Sequence, residues 1–398
     1  MEKTKNKSMG IVVEYNPFHN GHKYHLKKAK ELGNIVIAVI SGDYVQRGEP
    51  SIINRWERAR IALKEGVDIV CELPCFYSCQ SAELFARGSI GILYFLGVES
   101  ILFGSESDRL EELKNIIALS KEENFQEKIK KQIELGISYP NAFNNTLKEF
   151  FNDNIKINSN DILGIEYLKA IEYYGNNIEA QTLKREGGGY YSEMGEDKII
   201  SATGIRKAIF ENKKVEEYIP EKAYEILREE IEKDKITNIS KFYPLIRYAI
   251  FEKRDNLLNI QDMEIGFEKR LYEMAMKYDN YSEFFNNLLT KRYTIGRTQR
   301  ILIHILLNIT KEDTKYLKEN IPYVRIMGFS HKGKDYLKKY LKENKEKLEE
   351  VEILTSFKNI QKKLNEKQLK FLELNERAST IYKIINNYEE NKIPIIVE

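Results

Sequence analysis

Gly10-Ile11-Val12-Val13-Glu14-Tyr15-Asn16-Pro17-Phe18-His19-Asn20-Gly21-His22 is the stretch on which the reading of this chain turns. GIVVEY is a continuous apolar run of strand length, NPFHNGH a turn, and an amphipathic pattern follows to about Leu32. Gly21 lets the backbone approach a ligand closely. The helix N-terminus behind it offers free N–H groups and the positive end of a dipole, both suited to phosphate. Two imidazoles one helical turn apart or less, His19 and His22, can hydrogen-bond α- and β-phosphates as charge builds in nucleotidyl transfer. Of the 5 histidines, His19, His22 and His25 fall within seven residues. A metal site is the competing reading of such a pair, but zinc lacks acidic or Cys partners at suitable spacing. His25, one turn further on, reads as a helix residue near the site.

The rest of the N-terminal half repeats the strand–turn–helix pattern. NIVIAVIS (34–41), VDIVCEL (67–73) and SILFGS (100–105) are further apolar runs, with helical patterns at about 55–64 and 81–96 between them. The fold class is therefore α/β: a Rossmann-like parallel sheet with helices on both faces. Ligands in such sheets bind at the carboxyl ends of the strands, here the loops 15–22, 42–50, 73–80 and 104–108. IEAQTLKRE reads as another strand, and GGGYYSEMGEDKIISATGIRKAIF as a Gly-rich loop leading into a helix. From about Val215 long Leu/Ile/Tyr patterns at helical spacing replace the alternation. The division expected is 9–212 for a nucleotide-binding domain and 213–398 for an α-helical domain.

The 398 residues suggest two or three domains, and 42% hydrophobic content is enough for a core. No run approaches the ~18 apolar residues of a membrane span, and the polar MEKTKNKS reads as a loose extension ahead of Met9, not a signal peptide. The three cysteines, Cys71, Cys75 and Cys79, are too few for a disulfide framework and lack a fourth ligand, so they read as small buried hydrophobes in a reducing cytoplasm. No protein-held metal is expected. The net charge of +2, from 63 basic and 61 acidic residues, excludes a bulk polycation and nothing more. By position, 284–311 carries Lys291, Arg292, Arg297, Arg300 and Lys311 and no acid. The stretch 320–334 likewise carries Arg325, Lys332 and Lys334, with Tyr293, Tyr323 and Phe329 interleaved across the two. Such clusters suit RNA phosphates and exposed bases; basic helix ends and buried tyrosines are the plainer reading.

A second signal lies downstream. Ser201-Ala202-Thr203-Gly204-Ile205-Arg206 is a hydroxyl-bearing turn ahead of a helix. Its N–H groups and Arg206 suit β- and γ-phosphates, though it also reads as an ordinary N-cap followed by a solvated Arg. Together with the first stretch it resembles the HxGH nucleotidyltransferase superfamily. GIVVEYNPFHNGHKYHL, SGDYVQRGEPSIINRWERARIAL, VDIVCELP, SAELFARGSIGIL, ILFGSES, NDILGIEYLKA, KRYTIGRTQRIL and YVRIMGFSHKG together look like the tRNA(Met) cytidine acetate ligase family, over nearly the whole chain.

That resemblance implies ATP as substrate, with Mg²⁺, and acetate and elongator tRNA(Met) as partners, with no membrane. Acetate would be activated as acetyl-adenylate and passed to the wobble cytidine as N4-acetylcytidine. The ATP-binding segment would be Val12, Val13, Glu14, Tyr15, Asn16, Pro17, Phe18, His19, Asn20, Gly21, His22, Lys23, Tyr24 and His25, with His19 and His22 catalytic. Gly104, Asn160, Arg185, Ser201, Thr203 and Arg206 would complete the pocket. The family's commoner Asn-Asn-Ile-Leu-Gly is Asn160-Asp161-Ile162-Leu163-Gly164 here, which leaves Asn160 or its neighbour as the contact. Arg47, Lys291, Arg292, Arg297 and Arg300 would face the tRNA, with Arg58 and Arg60 extending that surface. A small-molecule adenylyltransferase and a tRNA-binding protein with a vestigial nucleotide site are the alternatives.

Overall fold

Strand β1 (Ser8–Val13) lies at the centre of one large sheet, in the computed structural model that describes residues 7–137, 139–151, 157–185, 200–290, 293–391 and 393–397. On one side of it come β2 (Ile35–Ser41) and then β5 (Ile69–Leu73); on the other come β6 (Ser100–Ser105) and β7 (Glu179–Lys184). These pairs are all parallel, as the apolar runs predict. All seven residues of β2 and all five of β5 are buried, the signature of strands covered on both faces. Each fully buried Val or Ile contributes roughly 1.5–3 kcal/mol. A short antiparallel hairpin, β3 (Tyr44–Val45) and β4 (Glu49–Pro50), projects from the loop after β2.

The chain goes from β1 to β2 to β5 in one direction, then returns to β6 on the far side of β1. That reversal puts a topological switch point, and hence a crevice, at the carboxyl end of β1. The helices Asn20–Leu32, Arg55–Lys64 and Ala82–Phe95 match the sequence expectation to within a residue or two. Their starts are fixed by His19, Asn54 and Ser81, whose side chains accept N–H groups of the first turn.

The C-terminal region is not helical throughout, which corrects the expectation for 213–398. Strand β8 (Tyr323–Ser330) pairs antiparallel with β5, and β9 (Glu352–Leu354) and β10 (Ile395–Val397) pair parallel with β8. Thus the sheet takes strands from both sides of residue 212. The physical reason is the free edge of β5, which the apolar, Pro-preceded YVRIMG run covers.

Arg325 of β8 is buried with Arg55 in a charge cluster. Arg55 bonds Glu72 at 2.5 Å and Glu390 at 2.6 Å, while Arg325 bonds Glu376 at 2.6 Å and Glu72 at 3.2 Å. These pairs join β5, the helix Arg55–Lys64, the helix Glu366–Asn386 and the C-terminal segment. Arg325 therefore belongs to the interior, not to a basic surface. Arg58 is likewise fully buried and donates to the carbonyls of Glu14, Ser41, Gly42 and Ile53, so it cannot extend such a surface either. No helix among the described residues is long and apolar enough to cross a membrane.

Candidate active site

The turn after β1 is held by its own side chains. Asn16 accepts the Ile52 N–H at 2.7 Å, and Phe18 packs edge-on against Tyr15, ring centroids 4.6 Å apart. His19 is the N-cap of the helix Asn20–Leu32, and its Nδ1 accepts the Gly21 N–H at 3.0 Å. In return His22 Nδ1 accepts the His19 N–H at 3.3 Å. This is a reciprocal capping box built from two imidazoles in place of the usual hydroxyl and carboxylate. With Nδ1 accepting, the neutral His19 ring carries its proton on Nε2. The first turn contains no acidic residue, so no carboxylate competes for the positive end of the helix.

Burial, and then the positive charge of Arg185, lower the His19 pKa to about 4. His22 is pushed well below its usual value, first by burial, then by His19 and Arg185; the Pro17 carbonyl opposes this. At neutral pH both rings are uncharged hydrogen-bond groups at a helix start. His25 has a different job. Its Nε2 meets the Leu102 carbonyl at 3.0 Å, bracing the helix against β6.

Three further predicted residues converge here. Arg185 follows β7, its N–H bonds the Ser105 carbonyl at 2.8 Å, and its Nη1 donates to Asn160 Oδ1 at 2.8 Å. Asn160 Nδ2 in turn donates to Glu106. Arg206 Nη1 donates to the Asn16 carbonyl at 2.7 Å, and its Nη2 reaches Glu49 at 3.2 Å and the Thr203 hydroxyl at 3.4 Å. Asn20 Nδ2 donates to the Glu217 carbonyl at 3.0 Å. Arg206 thus ties the Ser201–Arg206 segment to the turn after β1. Ser201 caps its helix by accepting the Gly204 N–H at 3.2 Å, and Ser201 and Thr203 are exposed. Gly104 sits near the end of β6, opposite Leu183 of β7.

The HIGH nucleotidyl transferase family model matches residues 6–393. A Fusobacterium nucleatum protein named tRNA(Met) cytidine acetate ligase is 46% identical, the match covering 98% of each chain. The chain belongs to the tRNA(Met) cytidine acetate ligase family of HIGH nucleotidyl transferases. Another member, from Caldicellulosiruptor saccharolyticus, is 40% identical over 94% of this chain and 93% of its own. A Thermotoga maritima protein called TmcAL, crystallised with alpha-thio ATP, superposes with a TM-score of 0.88 at 31% identity, over 98% of this chain and 99% of that one.

In this tRNA(Met) cytidine acetate ligase family member, the structure separates the roles of Asn160 and Asp161. Asn160 carries the contacts to Arg185 and Glu106. Asp161 is buried, and its Oδ1 accepts the Ser105 hydroxyl at 2.5 Å and the Glu106 and Ser107 N–H groups at 3.1 and 3.3 Å. It fixes the turn after β6 instead of facing the crevice. Glu106 and Glu49, which hold Asn160 and Arg206, were not singled out from the sequence. Glu106 stands in the FGSES motif, whose carboxylate was the available signal.

Of the residues expected to face tRNA, Arg47 is exposed at the tip of the hairpin. Lys291 and Arg292 lie outside the described residues. The stretch 284–311 has no acid in sequence, yet in space Arg297 pairs with Glu264 at 2.6 Å and Arg300 lies 3.9 Å from Asp262. Cys71, Cys75 and Cys79 are free, buried thiols whose pKa values burial raises, Cys79 to about 12.

Proposed function

We propose that the protein activates acetate with ATP and transfers the acetyl group to N4 of the wobble cytidine of elongator tRNA(Met). The observation that carries this reading is the neutral His19–His22 pair at an acid-free helix start, with Arg206 docked on the same turn. It is supported by relatives whose names state that activity. In the first step a carboxylate oxygen of acetate attacks the α-phosphorus, and pyrophosphate leaves. Acetate brings its own charge, so no base is needed. The protein's work is to offset phosphate repulsion with His19, His22, Arg185, Arg206 and the N–H groups of the two helix starts. In the second step the cytidine N4 attacks the acetyl carbon and AMP leaves.

Gly104, Asn160, Ser201 and Thr203 complete the ATP pocket in this reading. Mg²⁺ would travel with the triphosphate: among the described residues no group of three or more His, Cys, Asp or Glu is placed to hold a metal. It would supply charge neutralisation on the phosphates. Arg47, Lys291 and Arg292 are the basic residues assigned to tRNA, with Arg297 and Arg300 in a secondary role because acids already face them. A tRNA substrate and reduced, buried thiols both fit a cytoplasmic protein.

The test is incubation of tRNA with ATP and labelled acetate, followed by mass spectrometry of its nucleosides. Labelled N4-acetylcytidine is expected, and its absence would reject the reading. AMP formation from ATP and acetate that ignores tRNA would favour a small-molecule adenylyltransferase instead.

A further inference from the structure

Glu14 is an anomaly in a site arranged for phosphates. It stands immediately after β1, at the switch point of the sheet, where a carboxylate repels a triphosphate. Its placement is nonetheless fixed at both ends. The backbone carbonyl accepts Arg58 Nη1 at 2.8 Å, and side-chain Oε1 accepts the Gln46 N–H at 2.8 Å. Oε2 accepts nothing among the described residues, and the residue is half-buried, not sealed. Burial raises the pKa of this carboxyl above its usual value, opposed in part by the Gln46 N–H and by the charges of Arg206, Arg58 and Arg47. None of them forms an ion pair with it, because Arg58 is spent on carbonyls and Arg206 on Glu49 and Asn16. The other titratable groups that feel its charge, Tyr167 and Cys79, stay protonated at neutral pH through burial. One oxygen is thus held by the hairpin that carries Arg47, while the other accepts no hydrogen bond among the described residues, on a residue that directly precedes the His19–His22 turn.

We propose that Glu14 is the base that takes the proton from the cytidine N4 during acetyl transfer. The assignment rests on the acetyl-transfer reading above. N4 forms a bond to the acetyl carbon, the bond from that carbon to the AMP oxygen breaks, and the N4 proton goes to Glu14 Oε2. AMP leaves with the electron pair, and the proton is later released to water. Acetate activation needs no base, so Glu14 serves the second step alone.

Glu14→Gln tests this, because the amide oxygen can still accept the Gln46 N–H while basicity is lost. Two reactions are followed: acetate-dependent ATP–pyrophosphate exchange, and single-turnover acetyl transfer to tRNA. Transfer should fall about a hundredfold or more, and far more than exchange does. The wild-type transfer rate should also rise with pH along a limb that the variant lacks. Equal loss in both reactions by a variant whose circular dichroism and thermal midpoint match wild type, or transfer within threefold of wild type, overturns the assignment. Exchange also reports folding, so a collapsed variant shows itself as equal loss; Glu14→Asp then decides, since partial transfer with a retained pH limb supports the base and its absence refutes it. Wild-type protein that makes no acetylcytidine at all fails the parent reading, a result distinguishable from failure of Glu14.

Discussion

The imidazole of His19 stacks on that of His22, ring centroids 3.8 Å apart and planes 22° apart. Two cations could not share that geometry. The stack is stable because burial keeps both rings neutral, and each ring also caps the helix that presents it. Nδ1 of each ring holds the turn, and in the proposed reading His19 Nε2 donates to a phosphate oxygen.

Replacing His22 with Ala removes one ring from that arrangement. Acetate-dependent ATP–pyrophosphate exchange should fall by about 10²–10³-fold, the scale for losing one donor to developing charge. The helix also loses its half of the capping box, at about 1 kcal/mol. Calorimetry should therefore show a folded protein with a slightly lower midpoint. Unchanged exchange would remove His22 from the mechanism.

His19 and His25 each sit near a pKa of about 4 against 6.5 for the free side chain, chiefly because both are buried. Between those values the unfolded chain binds more protons than the native one. Their contribution is therefore intact above pH 6.5 and is lost as pH falls toward 4, at about 1.4 kcal/mol per unit for each residue. His25→Gln, which keeps a donor for the Leu102 carbonyl, should flatten the stability–pH curve by one such increment. Urea unfolding from pH 7 to 4.5 measures the slope, and parallel curves would refute the attribution.

The α/β half was legible because each buried parallel strand is a continuous apolar run bounded by turn residues, and because His-Asn-Gly-His is a rare local pattern. Strand β8 was missed for a related reason. YVRIMGFS is as apolar as the others, but it stands among helices and contains Arg325, which suggested a basic surface. Nothing local announces that Glu72, Glu376 and Glu390 converge on that arginine from distant positions. The same blindness applies to Arg297 and Arg300. A stretch free of acids in sequence can face acids in space, and only tertiary packing decides that.

Asp161 gathers four donors of the turn after β6, the Ser105 and Ser107 hydroxyls and the Glu106 and Ser107 N–H groups, onto one buried oxygen. Asp161→Ala leaves those donors unsatisfied and should cost about 2–4 kcal/mol. Asp161→Asn keeps an acceptor there and should stay within about 1 kcal/mol of wild type. Chemical denaturation of the two variants checks the order, and equal losses would mean that the charge itself holds the turn.

Gly48 has φ +80, and a Cβ there would lie 2.3 Å from the Arg300 backbone nitrogen. Gly136 has a similar φ of +84 with nothing within 4 Å. Alanine at 136 should cost only backbone strain, about 1 kcal/mol. Alanine at 48 adds a backbone clash that must push the hairpin off the helix Ile295–Leu307, and should cost roughly 1–3 kcal/mol more. Thermal midpoints of the pair separate strain from clash, and similar midpoints would show that the hairpin can shift freely.

Arg185 and Asn160 act as a unit if the 2.8 Å bond between them is what aims the guanidinium. Arg185→Ala should raise the KM for ATP in the exchange assay about tenfold or more, through loss of a charged contact to phosphate. The same change also removes a positive charge that lowers the pKa of His19, His22 and His25, so those histidines should titrate at higher pH. Asn160→Ala should raise KM in the same direction but less, because Arg185 stays anchored through its own N–H to Ser105. Residues that share one interaction do not add. The double variant should therefore resemble Arg185→Ala alone. A KM equal to the product of the two single effects would show that Asn160 reaches ATP by itself.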